Sequence, residues 1–175
     1  TAFFENNVVG TVTLLEAARR HPVERFLFAS SSTVYGRGAA APFVEDAPLG
    51  IPASPYGASK RSAEIAGLTY HQLFNLPFVS LRFFNVYGPR ETHKGRMASV
   101  AFHNYNQFRA DGRVKLFEGS HGYGNGGQQR DFVFVDDVAK VNLFFLDHPQ
   151  KSGIFNLGSG RAQSFNDVAV AAVNG

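Results

Sequence analysis

Cysteine and tryptophan are absent from this 175-residue chain, and methionine occurs once. Without cysteine there is no disulfide framework and no thiolate metal site, and the composition suits a reducing compartment. The six histidines are scattered without ligand spacing, so no metal centre is expected. No apolar run approaches the roughly 18 residues of a membrane-spanning helix, and no basic-then-apolar leader opens the chain. Charged side chains are few, at 18%, and sum to +3. Because the arginines are dispersed, that excess suits anionic small molecules at least as well as nucleic acid. The reading is a cytoplasmic protein with neither a membrane nor a nucleic acid as partner.

What is present is an ordinary globular composition, 44% hydrophobic, with 18 phenylalanines scattered along the chain as core residues. The chain starts without Met inside one helical pattern and stops inside another, so it reads as a fragment of a longer protein. Val8, Val12, Leu15 and Ala18 lie at helical spacing within residues 3–20. Phe26-Leu27-Phe28-Ala29 is a continuous apolar run ending in Ser30-Ser31-Ser32, the pattern of a strand buried on both faces. A loop with four prolines follows from Gly36 to Pro55, and Ser54-Pro55 then starts a helix to about Phe74. Phe78 to Phe83 reads as the next strand, giving a right-handed parallel crossover. Asn85 to Arg90 reads as a loop, Met97 to Ala110 as a helix and Val114 to Phe117 as a short strand. Gly119 to Gly127 is a loop; it does not resemble a phosphate loop, since no Lys-Ser/Thr follows. Phe132 to Val135 is a strand, Asp136-Asp137 caps a helix to Leu146, Ile154 to Leu157 is a strand, and Ser164 caps a last helix.

Within the second helical pattern, Tyr56-Gly57-Ala58-Ser59-Lys60 sets a phenol and an ammonium one turn apart on one face. A phenol, with an ordinary pKa of about 10, becomes a useful base only where a cation stabilises phenolate. The spacing alone would occur by chance in about one chain in three of this length. Ser31, at the carboxyl end of a buried strand, adds the context: functional residues of open α/β sheets gather at such ends.

This Ser31…Tyr56-x-x-x-Lys60 set resembles the extended short-chain dehydrogenase/reductase family, in its NAD-dependent epimerase/dehydratase branch. Asn7-Val8-Val9-Gly10-Thr11, Phe28 to Gly36, Pro55 to Lys60, Arg82 to Pro89, Arg130 to Val138 and Asn156-Leu157-Gly158 carry the resemblance in order. It implies an α/β fold: the C-terminal part of a Rossmann-like doubly wound parallel sheet, with a smaller mixed α/β substrate-binding region. Residues 1–90 would be the partial dinucleotide-binding domain, and 91–175 mainly the substrate region, interleaved with the last Rossmann elements. The Gly-rich dinucleotide fingerprint would lie upstream of Thr1, in about 80 further residues.

From residue 82 onward the chain is similar to ADP-L-glycero-D-manno-heptose 6-epimerases of lipopolysaccharide core synthesis, through Glu91 to His103 and Lys115 to Ser120. The resemblance implies catalytic roles for Ser31, Tyr56, Lys60 and Lys94. It implies NADP or NAD contacts, with NADP favoured, from Asn7, Tyr56, Lys60, Val86 and Lys94. A nucleotide-diphosphate sugar would meet Ser31, Asn85, Arg96, His103, Phe117, Glu118, Gly119, Ser120 and Arg130, and the full-length enzyme would be a homo-oligomer. Epimerisation at an exocyclic carbon needs only rotation about one bond to present either face, which makes a second acid/base such as a desolvated Lys94 useful. Thr33-Val34-Tyr35 and Ser54-Pro55-Tyr56 look more like UDP-glucose or UDP-glucuronate 4-epimerases, the alternative reading. A non-catalytic nucleotide-binding protein is the third, though such a protein has no use for an activated phenol.

Overall fold

A computed structural model of the chain describes residues 2–175. Its elements in chain order are α1 (Ala2–Phe4), a π-helical turn (Glu5–Val9), α2 (Gly10–Arg20), β1 (Phe26–Ser31), a 3-10 turn (Ser32–Tyr35), α3 (Pro55–Phe74), β2 (Phe78–Phe83) and β3 (Asn85–Tyr87). There follow a 3-10 segment (Thr92–Met97), α4 (Val100–Asp111), β4 (Gln129–Phe134), α5 (Val135–Asp147), β5 (Gly153–Leu157), β6 (Ala162–Ser164) and α6 (Phe165–Asn174). They form two units: residues 2–83 with Val141–Leu157, and Phe84–Lys140 with Gly158–Gly175. Among the described residues no helix is long and apolar enough to cross a membrane.

In the first unit, β1, β2 and β5 make a parallel sheet in the order β1-β2-β5, with Phe26 opposite Phe78 and Val79 opposite Gly153. β2 is the central strand and is buried from Phe78 to Arg82, the polar Ser80 and Arg82 included. α3 begins where the sequence placed it: Pro55 opens the helix and the Ser54 hydroxyl accepts the Gly57 N–H at 3.1 Å. Asn75, in the left-handed region at φ 55°, ends it. The buried residues of α3 are mostly small (Gly57, Ser59, Ala63, Gly67), with Glu64 among them. Leu15, Ala18, Phe28, Ala63, Leu76 and Phe78 form the core between α2, α3 and the sheet.

Small residues matter here because the Phe78 ring lies against Gly67, so a Cβ at that position would collide with it. Gly67→Ala gains about 1 kcal/mol of helix propensity, but overpacking typically costs about 1–3 kcal/mol. The variant is expected to be net destabilised, which urea unfolding measures; an unchanged midpoint would mean that the ring swings away freely.

Alternate residues of β2 face α3 along its length. After Phe78, Ser80 donates to Glu64 Oε2 at 2.8 Å, and Arg82 grips the same carboxylate at 2.6 and 3.2 Å. Arg82 and Glu64 are both almost fully buried. Arg82 is a strand residue, as the sequence reading of Phe78 to Phe83 expected, and is committed to Glu64, to the Glu45 carbonyl at 3.2 Å and to the Tyr35 ring at 4.7 Å.

In the second unit β3 pairs parallel with β4, and β4 pairs antiparallel with β6. Asn85–Tyr87 is thus a short strand, where Pro89 and the polar residues had suggested only loop. Val114 to Phe117 forms no strand. Its backbone is spent elsewhere: the Lys115 N–H donates to Gln107 Oε1 at 2.8 Å and the Phe117 carbonyl accepts the Gly126 N–H at 2.8 Å. α4 starts at Val100 with Ser99 as cap, three residues later than expected. Asp136 and Asp137 lie in the first turn of α5 and do not cap it, since the helix already begins at Val135. Ser164 and Asp167 form a reciprocal capping box on α6.

Candidate active site

Ser31 ends β1, and its side chain caps the following 3-10 turn by accepting the Thr33 N–H at 3.3 Å and the Thr33 hydroxyl at 3.0 Å. Both contacts use acceptor capacity, so the single O–H of Ser31 stays available to a substrate oxygen. The same turn meets the start of α3: a Cβ on Gly57 would sit 3.0 Å from the Thr33 carbonyl. That close approach, which glycine eases, joins the serine turn to the helix carrying Tyr56.

Tyr56 is half-buried, its ring edge-on to Phe3 at 5.7 Å. One turn on, Lys60 Nζ lies 5.9 Å from the Tyr56 ring centre, 5.2 Å from that of Phe28, and donates to the Ala29 carbonyl at 2.9 Å. Burial pushes the Lys60 pKa below its ordinary value. An ammonium carries three donors and Ala29 takes one, so two remain for the hydroxyls of a ribose. In the same strand end Ser30 Oγ is buried with no hydrogen-bond partner among the described residues. This donor set fits a nicotinamide dinucleotide.

Asn7, expected at the cofactor, uses its amide within the fold: Nδ2 donates to Ser59 Oγ at 3.0 Å, and Ser59 donates to the Tyr56 carbonyl at 2.8 Å. It therefore ties the π-helical turn to α3 just beneath Tyr56.

The remaining expected residues belong to the second unit. Val86 is half-buried in β3, opposite Val133, and Asn85 donates to the Asp131 carbonyl at 2.9 Å. Lys94 and Arg96 lie in the exposed 3-10 segment, Lys94 paired with Glu91 at 3.5 Å. The Lys94 side chain is 42% exposed, so residues of its own unit do not supply the desolvation expected of a lysine base. His103 is half-buried on α4 with its ring edge-on to Phe102. Phe117 and Arg130 converge on one ring, Phe165, at 4.8 and 5.7 Å. Between them Gln128 donates to the Glu118 carbonyl at 2.6 Å and to Ser120 Oγ at 3.3 Å, while the Gly119 N–H donates to Asn125 at 2.8 Å. The loop 117–130 thus gathers an exposed aromatic, a guanidinium and polar backbone on one side of the unit.

Thr33, Phe165 and the Glu64–Arg82 pair escaped the sequence reading. A signal existed for the pair, since a lone Glu on a small-residue helix face and a lone Arg in an apolar strand each demand a partner. Phe165 carried none, and Thr33 stood within the Phe28 to Gly36 run with no role of its own.

A model of the NAD dependent epimerase/dehydratase family matches residues 1–158. The chain is 56% identical, over 163 residues, to the ADP-L-glycero-D-manno-heptose-6-epimerase of Thiobacillus denitrificans, covering 86% of this chain and 45% of that protein. The crystal structure of the Helicobacter pylori ADP-L-glycero-D-manno-heptose-6-epimerase superposes with a TM-score of 0.82 at 36% identity, over 96% of this chain and 50% of the other. The Thermus thermophilus UDP-glucose 4-epimerase, solved in complex with NAD, superposes with a TM-score of 0.82 at 35% identity, over 98% and 54%. The chain spans about half the length of the relatives it matches.

Proposed function

The chain belongs to the NAD dependent epimerase/dehydratase family, and from that premise we propose that it carries the acid/base and sugar-binding half of a nucleotide-sugar epimerase. The substrate in this reading is ADP-L-glycero-D-manno-heptose, inverted at C6 by transient oxidation on the way to lipopolysaccharide core. The observation that carries it is the junction of Ser31, with its uncommitted O–H, to the Tyr56–Lys60 helix through the Thr33–Gly57 contact. The 56% identity to a heptose 6-epimerase, against 35% to a UDP-glucose 4-epimerase, supports the choice of sugar.

Ser31 holds the reacting oxygen of the substrate by donating its hydrogen bond. Tyr56 takes the hydroxyl proton when the carbon is oxidised at one face, and gives a proton back when the ketone is reduced at that same face. Lys60 stabilises the phenolate and offers its two remaining N–H donors to the ribose. The bound nicotinamide dinucleotide, NADP in this reading, supplies the reversible oxidation. Lys94 serves as acid/base for the opposite face of the rotated ketone. Asn85, Arg96, His103, Phe117 to Ser120 and Arg130 hold the nucleotide sugar, with the Arg130 guanidinium suited to a diphosphate. The full-length enzyme is a homo-oligomer in this reading, which the exposed apolar side chains Val9, Leu14, Ile65 and Leu73 support.

Full-length enzyme offered ADP-glycero-manno-heptose and UDP-glucose separately is expected to invert C6 of the first and leave the second unchanged. Proton NMR of the products reads this directly. Inversion at C4 of the UDP-sugar would replace the heptose assignment with the 4-epimerase alternative.

A further inference from the structure

Glu91 is 3% exposed, an uncommon place for a carboxylate in a loop, and the chemistry at Tyr56 makes no use of it. Both of its oxygens are engaged. Oε1 accepts the Gly88 N–H at 3.2 Å and the Ser99 hydroxyl at 2.7 Å, and Oε2 accepts the Ser99 N–H at 2.7 Å. Oε2 also lies 3.5 Å from Lys94 Nζ. Burial would push the carboxyl's pKa up, but the Ser99 hydroxyl and N–H, the Gly88 N–H and the Lys94 ammonium outweigh it and hold the pKa below the ordinary carboxylate value.

The four contacts are unequal. Three are hydrogen bonds to the two ends of the loop, Gly88 and Ser99, and Ser99 is also the cap of α4. The fourth, to Lys94, is longer than a hydrogen bond and reaches a partly exposed side chain. Immediately after Lys94, Gly95 adopts φ 52° and ψ −125°, a kink that breaks the 3-10 segment. The Lys94 backbone N–H donates to the Glu91 carbonyl at 2.9 Å, but its ammonium is held by one weak contact, and losing that contact would leave the Glu91 carboxylate still satisfied by three donors. A buried carboxylate stripped of its partners would be costly; here the lysine departs without that cost.

We propose that Glu91 is the positioning residue for Lys94. Its carboxylate fixes loop 88–99 through Gly88 and Ser99, and it holds the Lys94 ammonium by the one contact that can be given up when the nucleotide sugar arrives. This rests on the reading of Lys94 as the second acid/base.

The test is a double-mutant cycle in the full-length enzyme with ADP-glycero-manno-heptose, using Glu91→Gln, Lys94→Ala and both together. Glu91→Gln is expected to lower kcat about tenfold with KM little changed, and the double variant to be no slower than Lys94→Ala alone, as coupled residues behave. Acylation of Lys94 by an amine-reactive reagent, followed by mass spectrometry, should become faster in Glu91→Gln, because its tether is cut. Losses that multiply, or Lys94 acylation at the original rate, would overturn the proposal while leaving the role of Lys94 intact. Lys94→Ala with undiminished kcat would instead remove the acid/base reading, and the positioning role with it. Should Glu91→Gln not fold, Ser99→Ala deletes the hydroxyl donor to Glu91 together with the α4 cap bond from the Phe102 N–H, and must shift kcat and Lys94 acylation in the same directions; no change in either refutes the role.

Discussion

Tyr56→Phe, which removes a single oxygen atom, is expected to cut turnover of the full-length enzyme by about 10²–10⁴-fold, the usual worth of a positioned acid/base. Stability and cofactor affinity should hardly change. The ring contact with Phe3 does not involve the phenol oxygen, and that oxygen makes no hydrogen bond among the described residues. Lys60 stays anchored by the Ala29 carbonyl whether or not the phenol is there. The loss should therefore fall on kcat, with the melting temperature and cofactor titration close to those of the unmodified enzyme. Retention of more than about a tenth of the rate would remove Tyr56 from the chemistry. A comparable loss accompanied by a large drop in melting temperature would make it a packing residue.

The second large effect concerns stability. Glu64→Ala strands the Arg82 guanidinium in a place where both partners are almost fully buried. Breaking one side of a buried pair typically costs about 3–5 kcal/mol, a large share of the roughly 5–15 kcal/mol that holds a domain folded. The damage should spread, because Arg82 also meets the Glu45 carbonyl and the Tyr35 ring, and the Tyr35 hydroxyl donates to Asn156 at 2.7 Å. Denaturant unfolding of the full-length enzyme measures the loss. Replacing both partners, Glu64→Leu with Arg82→Met, should recover part of it by removing the orphaned charge, the remainder being the buried Ser80 hydroxyl left without its acceptor. A loss from Glu64→Ala below about 1 kcal/mol would mean that the pair behaves as a solvated surface bridge.

Sequence and structure agree best where the determinant is local. The start of α3 needed only Ser54 and Pro55, and the Tyr56–Lys60 relation needed only one helical turn. The apolar run of β1 and the strand–helix–strand order announced a parallel sheet, although Ala29 of β1 is exposed and Ser80 and Arg82 interrupt the apolar residues of β2. Agreement fails where distant partners decide. Asn85–Tyr87 became a strand because β4, more than 40 residues on, offers it a ladder. Val114 to Phe117 has strand-like side chains, yet Gln107 and Gly126 claimed its backbone first.

The candidate site divides along the same line. Residue types and short spacings determined that a serine would end a strand, and that a phenol and an ammonium would share a helix face, because capping and helical periodicity act over a few residues. Tertiary structure alone decided that Gly57 lets the α3 helix close onto the Thr33 carbonyl and so join Ser31 to Tyr56. It alone decided that Glu64 and Arg82 find each other in the interior, and that Glu91 draws Gly88, Lys94 and Ser99 to one carboxylate. Those choices rest on close approach and on the need to satisfy buried polar groups. Neither condition can be read until the chain has folded back on itself.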